Sequence, residues 1–309
     1  MPDAPVGLPN LGFTCHVNAI VQCMMATATY RDTMNRIGDP LKIVALSTSP
    51  TCITAYRDLI KSFQKVVAPI RILDHNDAHE IMHLVNRWMH ERSVRLRRRG
   101  VAHVERTATT HPYAALCERY LSANESPVSH ALFAVTFAEV RCGHCGHTNV
   151  NFEHASEFRL SLTTQSVQDA LKEYFSPSKI PDWVCDECRK VHPNSTRTVH
   201  LWTAPKVVVL LLDKMRYDER GATRSRSPVD IPKRLGIRGI GDPADPGIRR
   251  TTYDLKAVCE HRGSATRGHY IATIAHGDDA WFAIDDDVVS RVSNASREHA
   301  YMLFYESDR

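Results

Sequence analysis

Long apolar runs are missing from this 309-residue chain, and nothing approaches the roughly 18 consecutive apolar residues that a membrane-spanning helix requires. The first ten residues, MPDAPVGLPN, lack the basic and apolar regions of a secretory signal, so an intracellular protein, cytoplasmic or nuclear, is expected. A dominant charge of one sign is also missing. Lys and Arg total 39 against 35 Asp and Glu, a formal net charge of +4, too balanced to imply a nucleic-acid partner. No internal repeat of fixed period is visible, which argues against a repeat architecture. What is present is 43% hydrophobic residues, ordinary for a globular protein and enough for a real core.

The N-terminal third reads as helical. From Cys15, the residues Val17, Ile20, Val21 and Met24 recur at helical spacing. Ile81, Leu84, Val85 and Trp88 do the same over Asp77 to His90, with Asp74 as the expected N-cap. The basic stretch Arg92 to Arg99 reads as a solvated helix end or loop. From about Ala131 the pattern changes to strands: ALFAVTFAEVRC, FRLSL, VVVLLL, YDLKAVCEH, GHYIATIA, WFAI and YMLFYE, with VQDALKEYF as one helical insert. Residues 218–250, rich in Gly, Pro, Arg and Asp, read as a long surface loop. Helices followed by a mostly antiparallel β region give an α+β class.

Nine cysteines is an odd number, and four of them form two C-x-x-C pairs: Cys142 with Cys145, and Cys185 with Cys188. In a reducing compartment such pairs ligate metal more often than they form disulfides. Each knuckle presents two thiolates to one ion. Four thiolates close a tetrahedral shell, so one structural zinc ion is expected, tying together the tips of two long β excursions. His144 and His147 are then surface residues. Asp186, Glu187, Glu153 and Glu157 nearby argue against a DNA-reading zinc ribbon.

Cys15 stands where Gly, Pro and Asn give way to a helical pattern. A cysteine at a helix N-terminus faces free N–H groups and the positive end of the dipole, which favour the reactive thiolate. A base is available near the C-terminus, where GHYIATIAHGDDAWFAIDDDVV reads as strand, tight turn, strand. A two-residue loop sets His269 opposite Asp286; a three-residue loop sets it opposite Asp285. Either carboxylate can orient the imidazole and stabilise its charged form. Asn10, five residues before Cys15, supplies a side-chain donor for an oxyanion.

Together these residues resemble the ubiquitin-specific proteases, a family of papain-like deubiquitinases. The family's cysteine box has the form GL-x-N-x-G-x-T-C-x-x-N-x-x-x-Q; Gly7 to Gln22 reads GLPNLGFTCHVNAIVQ. Its histidine box is matched by Gly268-His269-Tyr270 and by Trp281 to Asp286, and its last strand by AYMLFYE. HNDAHEIM resembles the family's D-A-x-E helix, the two C-x-x-C pairs its zinc knuckles, and FRLSL and APKVVVLLLDKMRY the strands after them. The resemblance runs along nearly the whole chain in the family's order.

The resemblance implies one catalytic domain over 1–309, with a helical thumb (about 1–130), zinc-bearing antiparallel fingers (about 131–215) and a palm (mostly 200–309). It implies hydrolysis of the bond after the C-terminal glycine of ubiquitin, with ubiquitin and ubiquitinated proteins as partners and the enzyme acting as a monomer. Cys15 would be the nucleophile, His269 the base and Asp285 its orienting residue, with Asp286 assisting and Asn10 serving the oxyanion. Asp77 and Glu80 would meet the arginines of the ubiquitin tail, with Gly268 and Tyr270 lining its path. A protease for a ubiquitin-like modifier, or a silent zinc scaffold that binds ubiquitin, are the alternatives. The chain departs from the family at Phe13, at His16 in place of the usual Tyr, at His75 and Asn76 in place of paired glutamines, and at Lys214-Met215 in place of Arg-Phe. The cysteine's closeness to the start suggests little beyond a catalytic core.

Overall fold

The fold is described from a computed structural model that places residues 5–37, 53–67, 70–97, 111–218, 221–238, 250–264, 267–277 and 280–307. Helix α1 (Cys15–Met25) is buried along all of its residues, so its apolar spacing marks a central helix, not a surface one. Helices α2 (Ala28–Arg36), α3 (Ile53–Val66) and α4 (Ala78–Arg97) share its core, α5 (Ala114–Asn124) packs instead on Val135, Phe137 and Trp202, and α6 (Pro127–Leu132) returns to the core of α1. Helix α4 begins one residue after Asp77, whose Oδ1 accepts the His79 N–H at 2.8 Å. Asp77 therefore caps this helix, and the expected cap Asp74 lies a turn upstream. Arg92 to Arg97 continue α4, while residues 98 and 99 lie outside the described set. Ala131 and Leu132 end α6, whose start is fixed by a reciprocal Ser126–Ser129 capping box, so the strand expected from Ala131 starts only at Ala134.

Strands β1 (Ala134–Arg141), β2 (Thr148–Ala155), β4 (Ser178–Lys179) and β5 (Thr196–Thr203) form an antiparallel sheet in the order β2-β1-β5-β4. A larger sheet runs β13 (Val288–Val292), β12 (Ala280–Asp285), β11 (Gly268–His276), β10 (Arg250–Gly263), β14 (Ala300–Ser307), β6 (Val207–Asp213), β3 (Phe158–Ser161). It is antiparallel except where β3 meets β6. The central strands β6 and β14 are apolar on both faces because both faces are covered. One face packs on α1 and the helices around it. The other packs on α7 (Val167–Tyr174) and on Val229, Leu235 and Ile237.

The stretch expected as a loop over 218–250 contains more structure than its composition suggests. Its first part pairs as a hairpin of β7 (Met215–Asp218) and β8 (Gly221–Arg224), and β9 (Arg234–Arg238) joins the edge of β10. Residues 239–249 lie outside the described set. Lys214, where the sequence departs from Arg-Phe, is buried and donates to the carbonyls of Ser227, Arg297 and Glu298, tying this region to the sheet. Among the described residues no helix is long and apolar enough to cross a membrane.

Candidate active site

Cys15 opens α1 after a turn that its neighbours hold in place. The Asn10 Oδ1 accepts from the backbone of Gly12 at 2.9 Å and Thr14 at 3.2 Å, and the Thr14 hydroxyl accepts from Leu11 N at 3.0 Å. Gly12 sits at φ 120°, a conformation that disfavours any side chain. The extended segment before the turn is strapped down by α1 itself. Asn18, three residues after Cys15, donates to the Leu8 and Pro9 carbonyls, both at 3.3 Å, and Gln22, seven after, donates to Val6 O at 2.7 Å. Both positions are quoted in the cysteine box, yet no sequence argument gave them a task; their i+3 and i+7 spacing from Cys15 is the signal that places all three on one helix face. The Tyr56 hydroxyl on α3 donates to Asn18 Oδ1.

The far wall is the β11–β12 hairpin. Cross-strand partners are Ala272 with Ile284 and His276 with Ala280, one residue beyond the larger register counted from the sequence. The ladder begins at Ala272, and His269 reaches its carboxylate by side-chain direction rather than as a cross-strand pair. Its Nε2 lies 2.5 Å from Asp285 Oδ1 and 3.8 Å from Asp286 Oδ2. The two aspartates divide the work. Asp285 is half exposed and holds the imidazole. Asp286, 9% exposed at φ 53°, accepts from Asn10 Nδ2 at 2.8 Å and Asn18 Nδ2 at 2.7 Å, and its carbonyl accepts from Leu8 N at 2.9 Å. Asp286 thus clamps the cysteine loop to the histidine hairpin. Gly7 permits this crossing, since a Cβ there would lie 2.7 Å from the backbone of Asp286 and Asp287.

The His269 imidazole and the Cys15 thiol act on each other's ionisation. Burial pushes the thiol's pKa upward, but hydrogen bonds from His16, His269 and the Tyr270 N–H, together with the charge on His269, outweigh it and bring Cys15 down to about 6. His269 moves the other way, to about 9, held first by Cys15 and then, against burial, by Asp285. Near neutral pH the pair is therefore thiolate and imidazolium.

A cleft of about 250 Å³ opens beside the sulfur, lined by Cys15, His16, Asp77, Glu80, Gly268 and Tyr270 among others. Asp77 accepts from the Tyr301 hydroxyl at 2.8 and 2.7 Å, a contact that sequence reasoning did not foresee. Gly268 has no room for a side chain, since a Cβ would meet the His261 ring at 2.2 Å. Tyr270 is buried with its ring 4.6 Å from that of His261. Two of the sequence's departures meet: the Phe13 and His75 rings are 4.1 Å apart. A third, Asn76, donates to the Arg71 and Asp74 carbonyls, bonding nearby backbone.

At the far end of the smaller sheet, Cys142 and Cys145 turn between β1 and β2, and Cys185 and Cys188 turn between β4 and β5. The four sulfurs converge, with Cys142 Sγ 3.8 Å from Cys188 Sγ and Cys145 Sγ 3.7 Å from Cys185 Sγ. A tetrahedron of 2.3 Å metal–sulfur bonds has edges of about 3.8 Å, so this donor set fits one ion. The knuckles repeat one geometry: Gly146 N donates to Cys142 O at 3.1 Å and Arg189 N to Cys185 O at 2.9 Å, with positive φ at Gly146 and Arg189. His144 is exposed and His147 half-buried, and neither belongs to the four-donor group.

A cysteine at a buried helix start, an imidazole across the cleft and a carboxylate behind it make the constellation of a cysteine hydrolase. Residues 6–305 match the family described as ubiquitin carboxyl-terminal hydrolase, and the chain belongs to that family. It is 25% identical to ubiquitin carboxyl-terminal hydrolase 21 of Rattus norvegicus over 349 residues, covering 97% of this chain and 61% of that protein. It is 26% identical to ubiquitin carboxyl-terminal hydrolase 17-like protein B of Mus musculus, covering 98% and 64%. The chain thus spans about three-fifths of the length of these curated relatives. In fold it is similar to the SAGA Ubp8/Sgf11/Sus1/Sgf73 DUB module bound to ubiquitin aldehyde, with a TM-score of 0.73, 19% identity and coverage of 98% of this chain and 70% of that one.

Proposed function

We propose that this chain is a deubiquitinating cysteine protease that hydrolyses the isopeptide or peptide bond after the C-terminal glycine of ubiquitin. The observation that carries the reading is the Cys15–His269–Asp285 arrangement, with the thiol lowered to about 6 and the imidazole raised to about 9. The Cys15 thiolate attacks the glycine carbonyl carbon. The oxyanion that forms is met by backbone N–H groups at the start of α1 and by the Asn10 amide, whose Nδ2 carries a second hydrogen besides the one given to Asp286. As the carbon–nitrogen bond breaks, the His269 imidazolium gives its proton to the departing amine, leaving a thioester on Cys15. Water then attacks the thioester carbonyl, with neutral His269 taking its proton, and the sulfur leaves as thiolate. Asp285 keeps the ring oriented throughout.

The ubiquitin tail would enter along the cleft, its arginines drawn to Glu80 and Asp77 and its glycines admitted past Gly268 and Tyr270. Residues 1–130 would act as thumb, 131–215 apart from β3 and β6 as fingers, and the large sheet, which includes those two strands, as palm. In this reading Cys142, Cys145, Cys185 and Cys188 hold one zinc ion, which supplies a structural crosslink and no open coordination position. Cleavage of a fluorogenic ubiquitin C-terminal substrate tests the function. Wild-type turnover that Cys15→Ala removes is expected; folded, zinc-loaded wild type no faster than Cys15→Ala would end the reading.

A further inference from the structure

Away from the cleft, three histidines gather where helices meet the smaller sheet. His90 lies on α4, His130 on α6 and His154 on β2. The His90 and His154 rings are 5.9 Å apart, and the Phe133 ring lies 5.6 Å from the first and 6.2 Å from the second. Each histidine is held by a partner outside its own element or at its edge. His90 Nδ1 is 2.9 Å from the hydroxyl of Ser126, the cap of α6. His154 Nδ1 is 2.8 Å from the Tyr120 hydroxyl on α5, and the two rings stand 5.2 Å apart. His130 donates its backbone N–H to Ser126 O at 3.1 Å, and its Nε2 is 3.3 Å from Oε2 of the buried Glu125. His90 and His154 are half-buried, and His130 is exposed. Helices α4, α5 and α6 therefore meet strand β2 through these contacts.

We propose that this cluster is an acid-sensitive clasp between the helices and the smaller sheet: protonation of His90 and His154 parts α4 and α6 from β2 while the large sheet stays folded. A neutral ring accepts the Ser126 or Tyr120 hydroxyl proton at Nδ1; a charged ring presents an N–H there and turns the hydroxyl round. Two imidazolium rings 5.9 Å apart, half out of water, also repel. The clasp bears on the cleft as well. Helix α4 carries Glu80 in its first turn and follows Asp77, so this junction holds the same helix further along.

The charges around the rings do not relieve the repulsion. Glu125 can balance one imidazolium and is within reach of His130, the exposed one. On α4, Glu91 beside His90 shares its charge with Arg87, 3.9 Å away. On β2, Glu153 neighbours His154 but accepts from the Thr136 hydroxyl at 3.4 Å, on the other side of the strand. Glu157, beyond the end of β2, is engaged by His79 at 2.9 Å and by the Ser156 hydroxyl. From α5 come the Tyr120 phenol and, near it, the Cys117 thiol, neither of them a carboxylate. Burial holds His154 down to about 4, with the charges of His90 and His130 adding to it against Glu125, and burial lowers His90 against Glu91. Once parted, the rings regain the ordinary imidazole value of about 6.5. The parted form thus takes up protons that the closed form refuses. The clasp is at full strength above about pH 6.5 and weakens as pH falls from there toward about 4.

The test is backbone hydrogen exchange of the zinc-loaded full chain at pH 7 and pH 5, read by mass spectrometry and corrected for the intrinsic pH dependence of exchange. Protection of peptides covering β2 and α6 should fall about tenfold relative to peptides covering β10 and β14. His154→Phe keeps a flat ring that cannot be charged, and His90→Gln keeps a polar partner for Ser126. Each should remove part of the fall, and the double variant most of it. A fall that the double variant keeps in full, an equal loss throughout the chain, or no fall at all overturns the proposal. Cys15→Ala should show the wild-type fall; its disappearance there would assign the effect to the cleft and overturn the clasp. If the histidine variants do not fold, the wild-type imidazole C–H resonances decide. Those of His90 and His154 should titrate well below 6.5, and titration of both near that ordinary value overturns the proposal. Exchange needs neither ubiquitin nor turnover, so this inference stands or falls apart from the protease reading.

Discussion

Two groups of sulfur atoms in this molecule sit in opposite surroundings. Cys15 stands singly at the start of a buried helix, with the charge of His269 acting on it and a cleft before it. The four knuckle cysteines stand on turns at the tip of a small sheet, each within reach of the other three. In the proposed reading a thiolate is a nucleophile in one place and a metal ligand in the other. Neighbours decide which: donors and an open approach leave a lone pair free to attack, whereas four thiolates around one cation use theirs in bonding.

The most severe way to test that division is to exchange the losses. Cys15→Ala should lower ubiquitin turnover by about 10⁴-fold or more while metal content, measured by mass spectrometry, stays at one equivalent. Cys145→Ser should do the reverse: metal is lost, the melting temperature drops, ubiquitin binding weakens, and Cys15 alkylation at neutral pH is unchanged. Metal loss in Cys15→Ala, or unchanged melting after complete chelation, would break the comparison.

Next in size is the division between the two aspartates. Asp285→Ala should lower turnover by about 10²- to 10⁴-fold with little change in melting, because the carboxylate is half exposed and serves the ring. Asp286→Ala removes the carboxylate that accepts from the exposed Asn10 and from the buried Asn18 and should cost about 1–2 kcal/mol of stability. Chemical denaturation of both variants checks this; equal melting would remove the clamp assigned to Asp286. Gly7→Ala, with its Cβ against the same backbone, should destabilise by about 1–3 kcal/mol.

The pH dependence is a gentler probe. Cys15 has a depressed pKa, so its thiolate is present above about 6 and is lost as pH falls through that value. His269 has a raised pKa and stays protonated up to about 9. Turnover should therefore fall below about pH 6 through Cys15, and above about pH 9 through loss of the proton His269 gives to the leaving amine. The acid limb follows Cys15, because His269 is already protonated in that range. A rate that is flat from pH 5 to 8 would contradict the thiolate–imidazolium pair.

The sequence carried this site unevenly. The turn before Cys15 and the two knuckles are local devices, set by residues within a few positions of one another, so spacing alone displayed them. The hairpin facing Cys15 was visible as two strands and a turn, but its register was not; counting fell one residue short, and both candidate carboxylates proved to be present with separate duties. Asn18 and Gln22 lay in the quoted motif without a task, because their partners at Val6, Leu8 and Pro9 run back along a strap whose path the helix does not fix. Residues 218–238 looked like loop because turn-forming residues interrupt short strands whose pairing comes from β10 and from each other.

By itself the sequence determined which atoms are chemically able: one cysteine at a helix start, one histidine on a strand, carboxylates after the next strand, four thiols in two knuckles. The tertiary structure alone decided which of them meet and in what state of charge. Ionisation depends on what lies within a few ångströms, and between Cys15 and His269 that nearness is created by a helix packed against a sheet more than 250 residues further along the chain.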